Sequence, residues 1–247
     1  MVERTDRAPV STFYAPGAWS VRVELGDDAA HHAVVKRLVA GDVVRVTSGD
    51  GRRALGVIAE LTKRRLVVAV DSASVETFNV PPRIDVWAPV GDRDRMLLLA
   101  EKMVELGASS WTPVVYRRSR SVTPRGEGAA FQQKVRARQI SALEQSGSAW
   151  LPDMHAEACL DDALATDTAR DAGQRLLLDA DGEALSVIGR LLEPPICIAL
   201  GPEGGLEESE RAQFIRAGWR TVSLGTNVLR FETAGMAALA IVRSHFP

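Results

Sequence analysis

Short, valine-rich stretches with partial alternation of apolar and polar positions occupy residues 10–75: "WSVRVEL", "DVVRVTS", "RALGVIAEL" and "RLVVAVDSA". A period near two predicts strands that bury one face. Asp50-Gly51 falls between two of these runs and predicts a tight hairpin. Strands this short and this closely spaced suggest a small barrel or sandwich. One segment breaks the pattern. Residues 27–39, "DDAAHHAVVKRLV", predict a helix with Asp27 and Asp28 at its start and Gly41 just past its end.

The pattern changes at "VETFNVPPR", residues 75–83, where a proline pair stops regular structure. A boundary is expected there, dividing the chain into 1–75 and 76–247. Beyond it, apolar runs alternate with helical ones. "RIDVWAPV", "SSWTPVVY", "RLLLDA" (175–180), "PICIAL" (195–200) and "RTVSL" predict strands. "DRDRMLLLAEKMVELG", "AAFQQKVRARQISALEQSG", "EESERAQFIRAG" and "TAGMAALAIVRSHF" predict helices. Such β–α alternation implies an α/β domain with a mostly parallel sheet covered by helices on both faces. Ligands of such sheets bind at the carboxyl ends of the strands.

The 46% apolar and 25% charged content of the 247 residues fits one large or two ordinary globular domains. No apolar run reaches the roughly 18 residues of a membrane span. "MVERTDRAPV" lacks the apolar stretch of a secretory signal. Two cysteines, Cys159 and Cys197, make no disulfide framework, so a reducing cytoplasm is the expected setting. The net charge of −2 conceals an asymmetry: residues 1–138 are net positive, whereas residues 139–247 carry 8 basic and 16 acidic side chains. A polyanion would therefore meet the first half.

Three strand-end loops carry candidate chemistry: "LDADGE" (178–183), "LGPEGG" (200–205) and "LGTNVLRFE" (224–232). Two open on Leu-Gly after an apolar run, and glycine there lets another group approach the main chain. "LGPEGG" reads either as a tight strand-to-helix turn or as a ligand cradle. It is no phosphate loop, because no lysine follows and Glu203 would repel a phosphate. Adenine held by main-chain groups, with a sulfonium nearby, suits it. The chain has no dinucleotide fingerprint and no G-x-S-x-G elbow, and its histidines and cysteines are too scattered for a zinc site.

"LGPEGG" followed by "LGTNVLRFETA" closely resembles the cofactor region of the RsmE-type ribosomal RNA uridine-N3 methyltransferases of the SPOUT superfamily. "HHAVVKRLVAGD" (31–42), "EKMVELGASSWTPVV" (101–115) and "SALEQSGSAWLP" (141–152) resemble further blocks of that family, in the same order. The chain departs from it at Lys36 and at Gly147-Ser148, where the family supplies a leucine and a basic residue. The resemblance implies a PUA-like β-barrel for RNA recognition over 1–75 and a trefoil-knotted SPOUT methyltransferase domain over 76–247. It implies S-adenosylmethionine as cofactor, no metal, a homodimer, and a uridine of small-subunit (16S) rRNA, free or in the assembled subunit, as substrate.

The cofactor contacts so implied are Leu178, Leu200, Gly201, Pro202, Gly204, Gly205, Leu224, Gly225, Val228, Leu229 and Arg230. Arg230 is the expected stabiliser of the uridine anion, or else the partner of Glu232 in a loop-shaping salt bridge. Glu232 is the expected proton acceptor, or else a charge capping the last helix. RNA contact is expected from His32, Arg37, Arg52, Arg53, Arg117, Arg118, Arg120 and Arg125, which would supply affinity rather than sequence choice. Two other readings stay open: a ribose 2′-O-methyltransferase of the same fold, and a noncatalytic RNA-binding protein.

Overall fold

The computed structural model describes residues 10–121, 125–166, 173–188 and 192–246. Two compact units emerge. One comprises residues 1–80 with 143–151, the other residues 81–142 with 152–247. The expected division after residue 75 is therefore displaced, because Glu76–Thr77 still pairs with the first sheet.

The first unit contains β1 (Thr12–Tyr14), β2 (Arg22–Leu25), α1 (Asp27–Val35), β3 (Val43–Thr47), β4 (Arg52–Leu61), β5 (Leu66–Val70) and β6 (Glu76–Thr77). The sheet runs β1-β3-β4-β5-β2, with β6 added to β4. The expected hairpin lies between β3 and β4. Its Asp50 carboxylate receives two hydrogen bonds from Arg52, which hold that carboxyl below its ordinary range. Phe13, Val44, Val46, Ile58, Leu66 and Val68 form the core. The expected helix over 27–39 stops four residues early. Arg37 adopts a left-handed backbone (φ 59°), which ends the helical path before Gly41.

In the second unit, β7 (Ile84–Pro89) leads to α2 (Arg93–Glu105), β8 (Ser110–Val115) and α3 (Ala129–Ser146, whose last residues belong to the first unit). There follow β9 (Asp153–Met154), β10 (Ala158–Cys159), α4 (Leu160–Ala165), β11 (Gln174–Ala184) and α5 (Leu185–Ile188). β12 (Ile196–Ala199), α6 (Glu208–Arg216), β13 (Arg220–Ser223) and α7 (Phe231–Arg243) complete it. Among the described residues the sheet has seven strands in the order β10-β8-β7-β12-β11-β13, with β9 beside β8, and every pair is parallel.

Alternation along the central strands divides their side chains between two cores. Ile84, Val86, Leu176, Ile196 and Ile198 pack with Leu99 and Met103 of α2 and Leu239 and Val242 of α7. Trp87, Leu177, Cys197 and Ala199 face the other way, against Leu160 of α4 and Phe214 of α6. Helices thus cover both faces, as a parallel sheet requires. The expected strand 175–180 is longer than the sequence suggests. "LDADGE" is a bulge inside β11, where Leu178 and Glu183 both pair with Val222. Only glycine fits at 182, since a Cβ there would lie 2.4 Å from the Val222 nitrogen.

Candidate active site

The bulge of β11 and the loops that follow β12 and β13 surround a cavity of about 580 Å³. Leu178–Ala180, Leu200–Leu206, Glu208, Arg211, Val228–Phe231 and Ala234 line it, together with Arg95 from α2. A smaller space of about 120 Å³ adjoins it, sharing Leu178–Ala180, Val228, Leu229 and Ala234 and adding Leu224 and Gly225. Leu178, Leu200, Gly201, Pro202, Gly204, Gly205, Val228, Leu229 and Arg230 therefore line the larger cavity, and Leu224 and Gly225 line the smaller one beside it.

Each wall has a local cause. β12 is fully buried and ends at Ala199, so Gly201 emerges just past the sheet tip, after the buried Leu200. A Cβ on Gly201 would meet only the Leu206 side chain, no closer than 3.5 Å, so a larger side chain there would extend into free space. The loop is tied at three points. Glu203 Oε1 accepts from the Asp92 amide (2.9 Å), and the Arg118 guanidinium donates to Gly204 O (2.8 Å). Glu210, only 3% exposed, accepts from the amides of Glu207 (2.9 Å) and Arg117 (2.8 Å). Its reach back to Glu207 is the acceptor half of a capping box. The bulge of β11 is held by Arg211, whose guanidinium lies 3.3 Å from Asp179 and 3.4 Å from Asp181.

Arg230 is the N-cap residue of α7, which starts at Phe231, two residues before the expected start. It is exposed, and its side chain bonds to no described residue. The expected alternative of an Arg230–Glu232 bridge is not what forms. Glu232 is buried, its Oε1 lies 3.9 Å from Arg95 Nε, and its Oε2 has no hydrogen-bond partner among the described residues. Glu232 is not among the residues lining the cavity. Arg95, Leu206, Glu208, Arg211 and Ala234 are lining residues outside the loops that the sequence singled out, and no local motif marks Arg95. Burial pushes the Tyr116 hydroxyl and the Cys197 thiol well above their ordinary ranges, and neither lines the cavity.

The basic residues expected to meet RNA are mostly engaged within the protein. His32 Nδ1 lies 3.0 Å from Glu144 Oε2, and its ring packs on Phe13. Arg52 bonds Asp50 and Gly17 O. Arg53 donates to Gly147 O (2.7 Å) and stacks 4.0 Å over Phe78. Arg117 faces Glu207, and Arg125 pairs with Glu127. Arg37 is exposed. The Arg120 side chain lies outside the described residues. No helix among the described residues is long and apolar enough to cross a membrane.

A family model described as an RNA methyltransferase domain matches residues 79–243, two-thirds of the chain. The chain belongs to the RNA methyltransferase family. A model of the RNA methyltransferase PUA domain matches residues 25–71, within the first sheet unit. This RNA methyltransferase is 27% identical over 225 residues to a ribosomal RNA small subunit methyltransferase E of Bacillus subtilis, covering 88% of this chain and 87% of the relative. The relative of the same name from Mycobacterium bovis is 27% identical over 236 residues, covering 92% and 87%. A crystal structure of the Neisseria gonorrhoeae methyltransferase E bound to S-adenosyl methionine superposes with a TM-score of 0.82 at 28% identity, covering 96% of this chain and 98% of that one. The architecture of this RNA methyltransferase is accordingly the SPOUT type with a PUA-like first domain, as the resemblance implied.

Proposed function

We propose that this chain transfers a methyl group from S-adenosylmethionine to N3 of one uridine in small-subunit (16S) ribosomal RNA. One observation carries the reading: two glycine-led bends enclose about 580 Å³ in a chain that matches, over 96% of its length, a small-subunit rRNA methyltransferase solved with that donor. The volume is that of an ordinary cofactor site.

The residues present fit the donor. Leu178, Leu200, Val228 and Leu229 offer apolar walls to an adenine. Gly201 leaves the main chain open to close approach. Asp179, Glu203 and Glu208 line the same space, which suits a sulfonium and an ammonium and disfavours a phosphate. Bound there, S-adenosylmethionine supplies the electrophilic methyl group. The chain supplies position, exclusion of water and charge. Positioning alone can account for several orders of magnitude in rate. Arg230, exposed at the mouth of the cavity, orients the RNA. Glu232, buried behind the wall, shapes the site rather than accepting a proton from the base.

The PUA-like domain, with Arg37, contributes RNA affinity, and the loops at residues 178–183, 200–205 and 224–232 belong to the knotted part of the SPOUT domain. Met236, Ala237 and Ile241 of α7 are only partly buried, which favours a homodimer built on that helix. A cytoplasmic setting and the assembled small subunit as substrate belong to the same reading.

The test is nucleoside analysis of 16S rRNA, and separately of assembled small subunits, after incubation with protein and labelled donor. Label in 3-methyluridine is expected. Label on a ribose 2′-oxygen would replace the reading with ribose methylation. Donor binding without any transfer to either RNA would leave an RNA-binding protein of the same fold.

A further inference from the structure

Arg95 sits in the first turn of α2 and lines the cavity. Its side chain is 31% exposed, so it is neither a solvated surface charge nor sealed in the core. Its Nε stands 3.9 Å from Glu232 Oε1, an ion-pair distance but not a hydrogen bond. A guanidinium carries five N–H donors, and none of those on Arg95 is hydrogen-bonded to a described residue. Glu232, 6% exposed, has its other oxygen buried without a partner. A buried carboxylate therefore stands at ion-pair distance from a cation that lines the cavity and has no hydrogen-bond partner among the described residues.

We propose that Arg95 is the cation that stabilises the uracil ring as N3 loses its proton. This rests on the uridine-N3 reading. At neutral pH the N3–H bond must break. Its electron pair stays on N3, delocalised toward O2 and O4, and the proton passes to water. The developing negative charge is best met by a fixed cation in a water-poor space. Arg230 is exposed and has no ion-pair partner among the described residues, whereas Arg95 is half-buried and ion-paired with Glu232. An opposite charge within about 4–6 Å lowers an acid's pKa by about 1–3 units. The competing occupant is the carboxylate of the donor's methionine part, which would make Arg95 a cofactor contact instead.

A titration without methyl donor separates the two. An RNA fragment with 5-fluorouridine at the methylated position is bound to the protein, and its ¹⁹F shift is followed as pH rises. With the native protein the ionisation midpoint is expected about 1–3 pH units below that of free RNA. Arg95→Ala alone would strand a buried carboxylate, so the test uses the double variant Arg95→Met with Glu232→Gln. Loss of the Glu232 charge by itself would lower the midpoint, so a return to the free value isolates Arg95. Arg95→Lys should retain much of the shift. Calorimetry should find S-adenosylmethionine affinity unchanged in the double variant. Equal midpoints for native and double-variant complexes would overturn the proposal. A loss of donor affinity with no change in midpoint would do the same and would assign Arg95 to the donor. Ribose methylation by the native protein would remove the parent reading, and it would register in nucleoside analysis, independently of the titration.

Discussion

Gly201 shows how one residue sets what the cavity can hold. Its backbone does not require glycine, and an added Cβ meets only Leu206 at ordinary contact distance. Gly201→Val should therefore fold normally and fill space the donor needs. Calorimetry is expected to find S-adenosylmethionine affinity reduced by about two orders of magnitude, roughly 2.7 kcal/mol, with the thermal transition nearly unchanged. Undiminished affinity in the folded variant would detach this loop from the donor. The glycines, prolines and leucines of the site were legible because their signal is local, a turn composition following an apolar run. Arg95 was not. Its meaning comes from Glu232, far away in sequence, and from a cavity wall that no short window contains. Arg53 and Arg118 likewise read as free basic residues until Gly147 O and Gly204 O are found beside them.

At the scale of elements, the sheet tip depends on how α6 begins. The buried Glu210 carboxylate satisfies two amides, one at the helix start and one at Arg117, and so joins the loop after β12 to the loop after β8. Glu210→Ala leaves both amides without that acceptor, and chemical denaturation is expected to show a loss of about 1–3 kcal/mol. No loss would mean that water or neighbouring groups replace the carboxylate fully. Periodicity predicted the strands and helices of the α/β unit, since the alternation of Ile84, Val86 and Trp87 is also the division between the two cores. It overran α1, because the left-handed backbone at Arg37 has no periodic signature. It also took the bulge of β11 for a loop, because a bulge depends on register with β13, which only the folded sheet supplies.

At the scale of the whole molecule, the sequence shows two composition regimes, and the structure shows two compact units. The boundary shifts from residue 75 to Val80, and residues 143–151 join the first unit. The pairing of β6 with β4 and the hydrogen bonds of Glu144 to Tyr14 and His32 account for this, and neither is a property of a sequence window. The chain's charge asymmetry belongs to the same scale. Its basic half carries the PUA-like domain, and its acidic half carries the carboxylates that line the cavity. The central claim is that the bends at Gly201 and at Leu224–Arg230 together enclose a cationic methyl donor. The most direct measurement is a crystal structure with S-adenosylmethionine. The expected result is the adenine against Leu178 and Leu229, with the main chain at Gly201 in contact with the donor. Both bends empty, with the donor elsewhere on the protein, would contradict the account.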